Sequence, residues 1–148
     1  MYATAYGVLR SGWDASDAVQ DALAEAYAKI GGLRDPRAFP AWLSRILVNK
    51  CNTILRKRRR LVVTAAPPES EAFTYVGRED GLDLMAAVHG LDADHREVVA
   101  LRYFRDLTLA EIANTLGCPV GTVKSRLNRA LGKLGAALGT DDRAEVAQ

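Results

Sequence analysis

Thr122, Lys124, Ser125, Arg126, Asn128, Arg129 and Lys133 fall within twelve residues near the C-terminal end of a 148-residue chain. Among and beside them run Val120, Val123, Leu127, Ala130, Leu131 and Leu134 at helical spacing, so the polar set lies off the apolar stripe of one helix. Arginine and asparagine can bond bidentately to guanine and adenine edges, while lysine and serine suit phosphate oxygens. The chemistry on offer is recognition, with no bond-making. No Ser-His-Asp set and no glycine-rich phosphate loop accompany these residues, so no enzyme activity is expected. Cys51 and Cys118 form no Cys-x-x-Cys pair, and their spacing to His89 and His95 matches no zinc pattern. Both cysteines are expected to be small buried hydrophobes, and neither a metal nor a cofactor is expected.

A second basic group lies upstream. Residues 43–60 hold Arg45, Lys50, Arg56, Lys57, Arg58, Arg59 and Arg60 and no acid, a net charge of +7. Residues 61–95 carry seven acids against Arg78 alone, a net −6, and residues 96–134 return to +4. The whole-chain charge of +2 hides this segregation. Two basic blocks around an acidic stretch suggest two nucleic-acid-facing surfaces joined by a connector; solvated helix faces are the plainer alternative.

The elements that must position these groups read as helices throughout. Residues 2–10 form a short helix ending near Ser11-Gly12. Asp14 is a good N-cap, with Asp17 three residues on in the manner of a capping box. Val19, Ala22, Leu23, Ala26, Tyr27 and Ile30 then make one apolar stripe, and Gly31-Gly32 ends the helix. Leu33 to Arg37 is a turn. Pro40 opens a helix whose buried side is Phe39, Trp42, Leu43, Ile46, Leu47 and Ile54. Residues 61–81, with Pro67-Pro68, Gly77 and Gly81, read as a flexible acidic linker. Helix resumes with Leu82, Leu84, Met85 and Val88; Asp92 caps another carrying Val98, Val99, Leu101 and Tyr103. Thr108-Leu109-Ala110-Glu111 is a capping box opening a helix with Leu109, Ile112, Ala113 and Leu116 inward. Gly117-Cys118 makes a turn, Pro119 starts the last helix, and the tail from Gly135 is expected to fray. Short capped helix, tight turn and longer basic helix together have helix-turn-helix form, which in DNA-binding proteins puts the second helix in the major groove; an ordinary helical hairpin is the plainer alternative.

Three segments carry a family resemblance. Asp14-Ala15-Ser16-Asp17-Ala18-Val19-Gln20-Asp21 resembles the polymerase-binding helix of extracytoplasmic-function (ECF) sigma factors of bacterial RNA polymerase. Phe39-Pro40-Ala41-Trp42-Leu43-Ser44-Arg45-Ile46-Leu47-Val48-Asn49, with the Arg56 to Arg60 run, resembles the helix that melts and reads their −10 element. Pro119 to Ala130 resembles their −35 recognition helix. The motifs stand in the family's order and cover roughly Tyr2 to Leu134.

The resemblance implies an all-α chain of two small helical domains. Residues 1–60 would be region 2, 61–81 the linker, 82–134 region 4 with its helix-turn-helix, and 135–148 a tail. It implies that Asp17, Gln20 and Asp21 dock on the clamp helices of the polymerase β′ subunit. It implies that Arg45 and Asn49 belong to the −10 reading helix, and that the loop Gly32 to Arg37, with Arg34 and Arg37, receives a flipped-out base. Arg56, Lys57, Arg58, Arg59 and Arg60 would contact promoter DNA, and the polar residues of the last helix the −35 element. Trp42, on the apolar stripe, is assigned to the core rather than to base stacking.

The resemblance also brings an anti-sigma partner. A cytoplasmic location is expected, since there is no signal-peptide pattern and no apolar run long enough for a bilayer. By the resemblance, the family usually has another helical turn or more before the position of Tyr2, which puts the stability of the N-terminal half in question. Leu91-Asp92 replaces a common Leu-Pro. Two other readings stay open: a helix-turn-helix regulator acting without polymerase, and a sigma-factor mimic that sequesters an anti-sigma protein. Lys124, Arg126 and Arg129 speak against the mimic, which has no need of base-reading cations.

Overall fold

The computed structural model describes residues 1–62 and 79–139, and these residues contain helices and no strand. The expected flexible linker falls largely on residues 63–78, outside the described residues, as does the tail from residue 140. Helices α1 (Tyr2–Leu9), α2 (Gly12–Lys29) and α3 (Phe39–Val62) make up the N-terminal half; α4 (Glu79–His89), α5 (Ala93–Val99), α6 (Leu109–Leu116) and α7 (Val120–Leu138) the C-terminal half. The backbone of α4 starts at Glu79, three residues inside the stretch read as linker.

Helix ends follow local chemistry, with several shifts from the sequence reading. Ser11, not Asp14, caps α2: its hydroxyl accepts from the Asp14 N–H at 3.3 Å. Serine reaches its own third helical N–H as well as aspartate does, and this frees the Asp14 carboxylate for a tertiary contact. Beyond α5 the chain continues as a π-helical turn, Ala100–Phe104, which no sequence pattern announced. Asp92 sits at the N-cap position of α5 without bonding a backbone N–H. The last helix runs to Leu138 and ends on left-handed Gly139, four residues past the expected fraying point.

The largest correction concerns α2. Its inward stripe is Ala15, Ala18, Ala22 and Ala26, whereas Leu23 is 49% and Tyr27 87% exposed, and Ile30 is exposed too. Alanines at the contact let α2 lie close against its neighbours, and two apolar stripes on one helix leave periodicity unable to say which faces in. Phe39, Leu84, Tyr103 and Val120 are likewise exposed rather than buried.

One core gathers Tyr6, Val8 and Leu9 of α1, the α2 alanines, and Leu43, Ile46, Leu47 and Cys51 of α3. A second gathers Val88, Leu91, Val98, Val99, Leu101, Leu107, Ile112, Val123, Leu127 and Leu134. Trp42 is half-buried against the first core, 5.9 Å from the Phe39 ring centroid, so it packs as assigned. Each core also borrows from the other half. Val48 of α3 is enclosed in the second core, and Ala100 of the π turn in the first.

Candidate nucleic-acid interface

The helix-turn-helix is built by its capping box. The Thr108 hydroxyl accepts from the Glu111 N–H at 3.2 Å, and the Glu111 carboxylate accepts from the Thr108 N–H at 2.8 Å. Gly117 closes α6 at φ 66°, a left-handed position that a side chain would strain. The Cys118 N–H donates to the Ala113 carbonyl, and Pro119 follows as N-cap of α7.

With Val123, Leu127, Ala130 and Leu134 inward, Lys124, Ser125, Asn128 and Arg129 lie on the exposed side of α7. Thr122 is half-buried, and its carbonyl accepts from the Ser125 hydroxyl at 3.0 Å. Arg126 and Lys133 sit on the flank toward α5. There Arg126 meets Asp94 at 3.0 Å and Lys133 meets Asp92 at 2.5 Å. The Lys133 ammonium holds the Asp92 carboxyl below its usual pKa.

On α3 the helical repeat of 3.6 gathers Arg45, Asn49, Arg56, Arg59 and Arg60 on one side, all exposed. Asn49, Arg56 and Arg59 line a cavity of about 390 Å³ together with Asn52, Asp94 and Glu97. Lys57 is exposed about a quarter-turn round the helix from that side. Arg58 is committed elsewhere: its guanidinium donates to the Leu9 carbonyl at 2.6 Å and pairs with the Asp14 carboxylate. As the chain stands, Arg58 braces the end of α1, a contact that the basic run in the sequence did not announce. Lys50 is also spoken for, 2.6 Å from Glu25; Lys29 and Lys50 together hold the Glu25 carboxyl down to about 2. Arg34 and Arg37 are exposed in the loop before α3, Arg37 beside Asp35 at 3.2 Å, and neither reaches the cavity.

Asp17, Gln20 and Asp21 are all exposed on α2, and Tyr27 and Leu23 project on the same outer side. Tyr27 was missed as a surface residue because its spacing also fits the apolar stripe. Asn52, three residues after Asn49, was missed although helical spacing puts it on the reading side. Cys51 is buried, and desolvation pushes its thiol up to about 12, so it is an inert core group. Cys118 is half-buried at the turn of the helix-turn-helix. Among the described residues no group of three His, Cys, Asp or Glu side chains could hold a metal ion. No described helix is long and apolar enough to cross a membrane.

The described residues are helices and their connections, with one basic helix face on α3 and another on α7, and comparison with known proteins gives the family. Residues 1–61 match Sigma-70 region 2, and residues 87–135 match Sigma-70, region 4. The RNA polymerase sigma factor SigV of Bacillus subtilis (strain 168) is 34% identical over 133 residues, which span 88% of this chain and 79% of that protein. The ECF RNA polymerase sigma factor EcfG of Rhodopseudomonas palustris (strain TIE-1) is 37% identical over 131 residues, 86% of this chain and 72% of that one. Among solved structures, the sigma factor RpoE in complex with the anti-sigma factor NepR from Bartonella quintana superposes with a TM-score of 0.85 at 33% identity, covering 95% of this chain and 91% of that one. CnrH, solved in complex with the cytosolic domain of CnrY, gives 0.65 at 28% identity, covering 95% and 81%. The chain belongs to the ECF group of sigma-70-type sigma factors.

Proposed function

We propose that the chain serves core RNA polymerase as a promoter-specific initiation factor with a division of labour along its length. Residues 1–60 engage polymerase and the −10 element, 82–134 the −35 element, and 61–81 join them. The observation that supports this most is the sorting of the basic residues: one helix face on α3 and one on α7, each backed by its own apolar core. On α3, Asn49 reads bases, with Arg45 beside it, while Arg56, Lys57, Arg59 and Arg60 hold phosphates; Arg34 and Arg37 flank the entry loop. On α7, Asn128 and Arg129 are placed for base edges, with Thr122, Lys124 and Ser125 near the backbone and Arg126 and Lys133 at the flank.

Polymerase docks on the exposed side of α2 through Asp17, Gln20 and Asp21. Tyr27 and Leu23 add apolar anchors beside these acids, the combination that well-packed interfaces favour. Work with polymerase places the chain in the cytoplasm. RpoE and CnrH were each solved with a bound regulator, and an anti-sigma protein holding both halves of this chain is proposed by likeness.

The test is run-off transcription with core polymerase, followed by start-site mapping. The native chain should support initiation at promoters sharing −35 and −10 elements. Asp17→Arg with Asp21→Arg should abolish it through lost polymerase affinity, while helicity stays native, since neither residue is buried. Undiminished polymerase binding by the double variant would remove α2 as the docking face and leave a regulator that works without polymerase.

A further inference from the structure

The helix α7 carries four cations, Lys124, Arg126, Arg129 and Lys133, and no acid of its own. Two of the four meet acids of α5. Asp94 pairs with Arg126 at 3.0 Å, and Asp92 pairs with Lys133 at 2.5 Å. Positions 126 and 133 lie about two helical turns apart, so they share one edge of α7, and that edge runs beside the acidic start of α5.

Asp92 gives up an ordinary role to make its pair. It stands at the N-cap position of α5, where an aspartate usually accepts from a backbone N–H of the first turn. Here its side chain bonds no backbone N–H. It accepts from Lys133 instead, with His95 Nδ1 at 3.2 Å beside it. Ser11 and Thr108, which cap α2 and α6, do bond the backbone. Glu97, the next acid of α5, takes no part: it accepts from the Asn52 amide at 3.1 Å, at the seam between the two halves. Asp94 reaches that seam as well, where it lines the cavity shared with Asn49, Arg56 and Arg59.

The other two cations keep their charge uncancelled. Lys124 is exposed on the edge of α7 opposite Arg126, and Arg129 is exposed on the outer side. A phosphate beside such a cation releases a counterion whatever the base sequence, so each one strengthens binding to all DNA alike. A cation paired with a carboxylate offers the same phosphate an attraction and a repulsion together. The pair need not be strong for this, because the carboxylate repels the phosphate even when the pair opens. Four cations thus act with the charge of two, and the two left in force stand beside Ser125 and Asn128.

We propose that Asp92 and Asp94 limit the electrostatic grip of the −35 reader: they cancel Lys133 and Arg126 along one edge of α7, so that binding leans on base contacts and less on phosphate. The acids act through the cations they hold and touch no DNA. This deepens the functional reading above and rests on it.

The test uses the chain bound to core polymerase, on a promoter duplex found by the start-site mapping and on the same duplex with its −35 sequence scrambled. Binding is followed by fluorescence anisotropy over a series of KCl concentrations. Asp92→Asn uncovers Lys133 and stays clear of the α3 seam. It should tighten binding to both duplexes about fivefold at physiological salt and steepen the slope of log K against log[KCl] by about 0.9, the effect of one added phosphate contact. The preference for the unscrambled duplex should stay as it is, because phosphates carry no sequence. Adding Asp94→Asn should roughly double the change in slope.

Two controls separate this from a structural role, which would weaken binding rather than tighten it. Asp92→Glu keeps the charge and should keep the native slope. Lys133→Gln in the Asp92→Asn background should return the slope to its native value. Unchanged or weakened binding by Asp92→Asn would overturn the proposal, as would a changed preference between the duplexes, which would make the acids positioners of a base-reading side chain. A native complex indifferent to the −35 sequence would overturn the functional reading of α7 instead, and the slopes would still decide whether the acids limit its grip.

Discussion

At the scale of single residues, the seam contains a group whose charge works against it. Glu97 is half-buried beneath α3, and desolvation raises its pKa, with nearby Asp94 adding to the effect while Asn52 and Arg126 oppose it. A carboxyl with a raised pKa binds its proton more tightly in the folded chain than in the unfolded one. Its contribution to stability is therefore complete below the unfolded value of about 4.3 and is lost as pH rises through the folded value. Glutamine keeps the shape and an oxygen to accept from Asn52, and carries no charge to desolvate. Glu97→Gln is expected to melt higher than the native chain at pH 7, with the difference closing by pH 4. Thermal unfolding at the two pH values checks it, and a variant less stable at pH 7 would mean that the Glu97 charge is needed.

At the scale of elements, α3 shows how far sequence carries. Five adjacent basic residues cannot share one helix face, and the structure distributes them accordingly. Arg56, Arg59 and Arg60 fall with Asn49, Lys57 turns aside, and Arg58 braces the end of α1 through the Leu9 carbonyl and Asp14. The sorting by face was legible from period alone. The commitment of Arg58 was not, because it depends on a carboxylate 44 residues away. Three defects follow. Asn49→Ala should change which −10 sequences are opened, with little change in salt dependence. Arg59→Ala with Arg60→Ala should weaken all promoters alike and lower the salt slope, since phosphate contacts release counterions without reading bases. Arg58→Ala should chiefly lower stability, by about 1–3 kcal/mol for a charged hydrogen bond to a carbonyl left without its donor. Run-off transcription on a panel of −10 variants at two salt concentrations, beside thermal melts, separates them; a sequence-preference change in the Arg59/Arg60 variant would reverse the assignment. Helix α2 marks the opposite limit. Its alanine stripe and its leucine-tyrosine stripe have the same period, and only the neighbours α1 and α3 decide that the alanines face in.

At the scale of the whole molecule, nothing in a periodic pattern tells whether two helical halves lie apart or dock. The sequence reading divided the chain at an acidic stretch and left the halves independent, while the structure gives each core a residue of the other. Val48 decides between the two situations. It follows Leu47, which is buried in the first core, and precedes Asn49 on the reading face; in an isolated N-terminal half it would be near the surface. In the chain it is 3% exposed and packed with the C-terminal residues. Val48→Ala would cost within about 0.5 kcal/mol at a surface position. Enclosed in the second core it should cost about 1.5–3 kcal/mol, two methyl groups and the small cavity they leave. The chain supplies its own probes, because both tryptophans, Trp13 and Trp42, lie in the N-terminal half. Urea unfolding of docked halves should give one transition, with tryptophan fluorescence and helical circular dichroism coincident, and Val48→Ala should move both to lower urea together. Two separated transitions, with Val48→Ala leaving the fluorescence midpoint in place, would show halves that fold independently of one another.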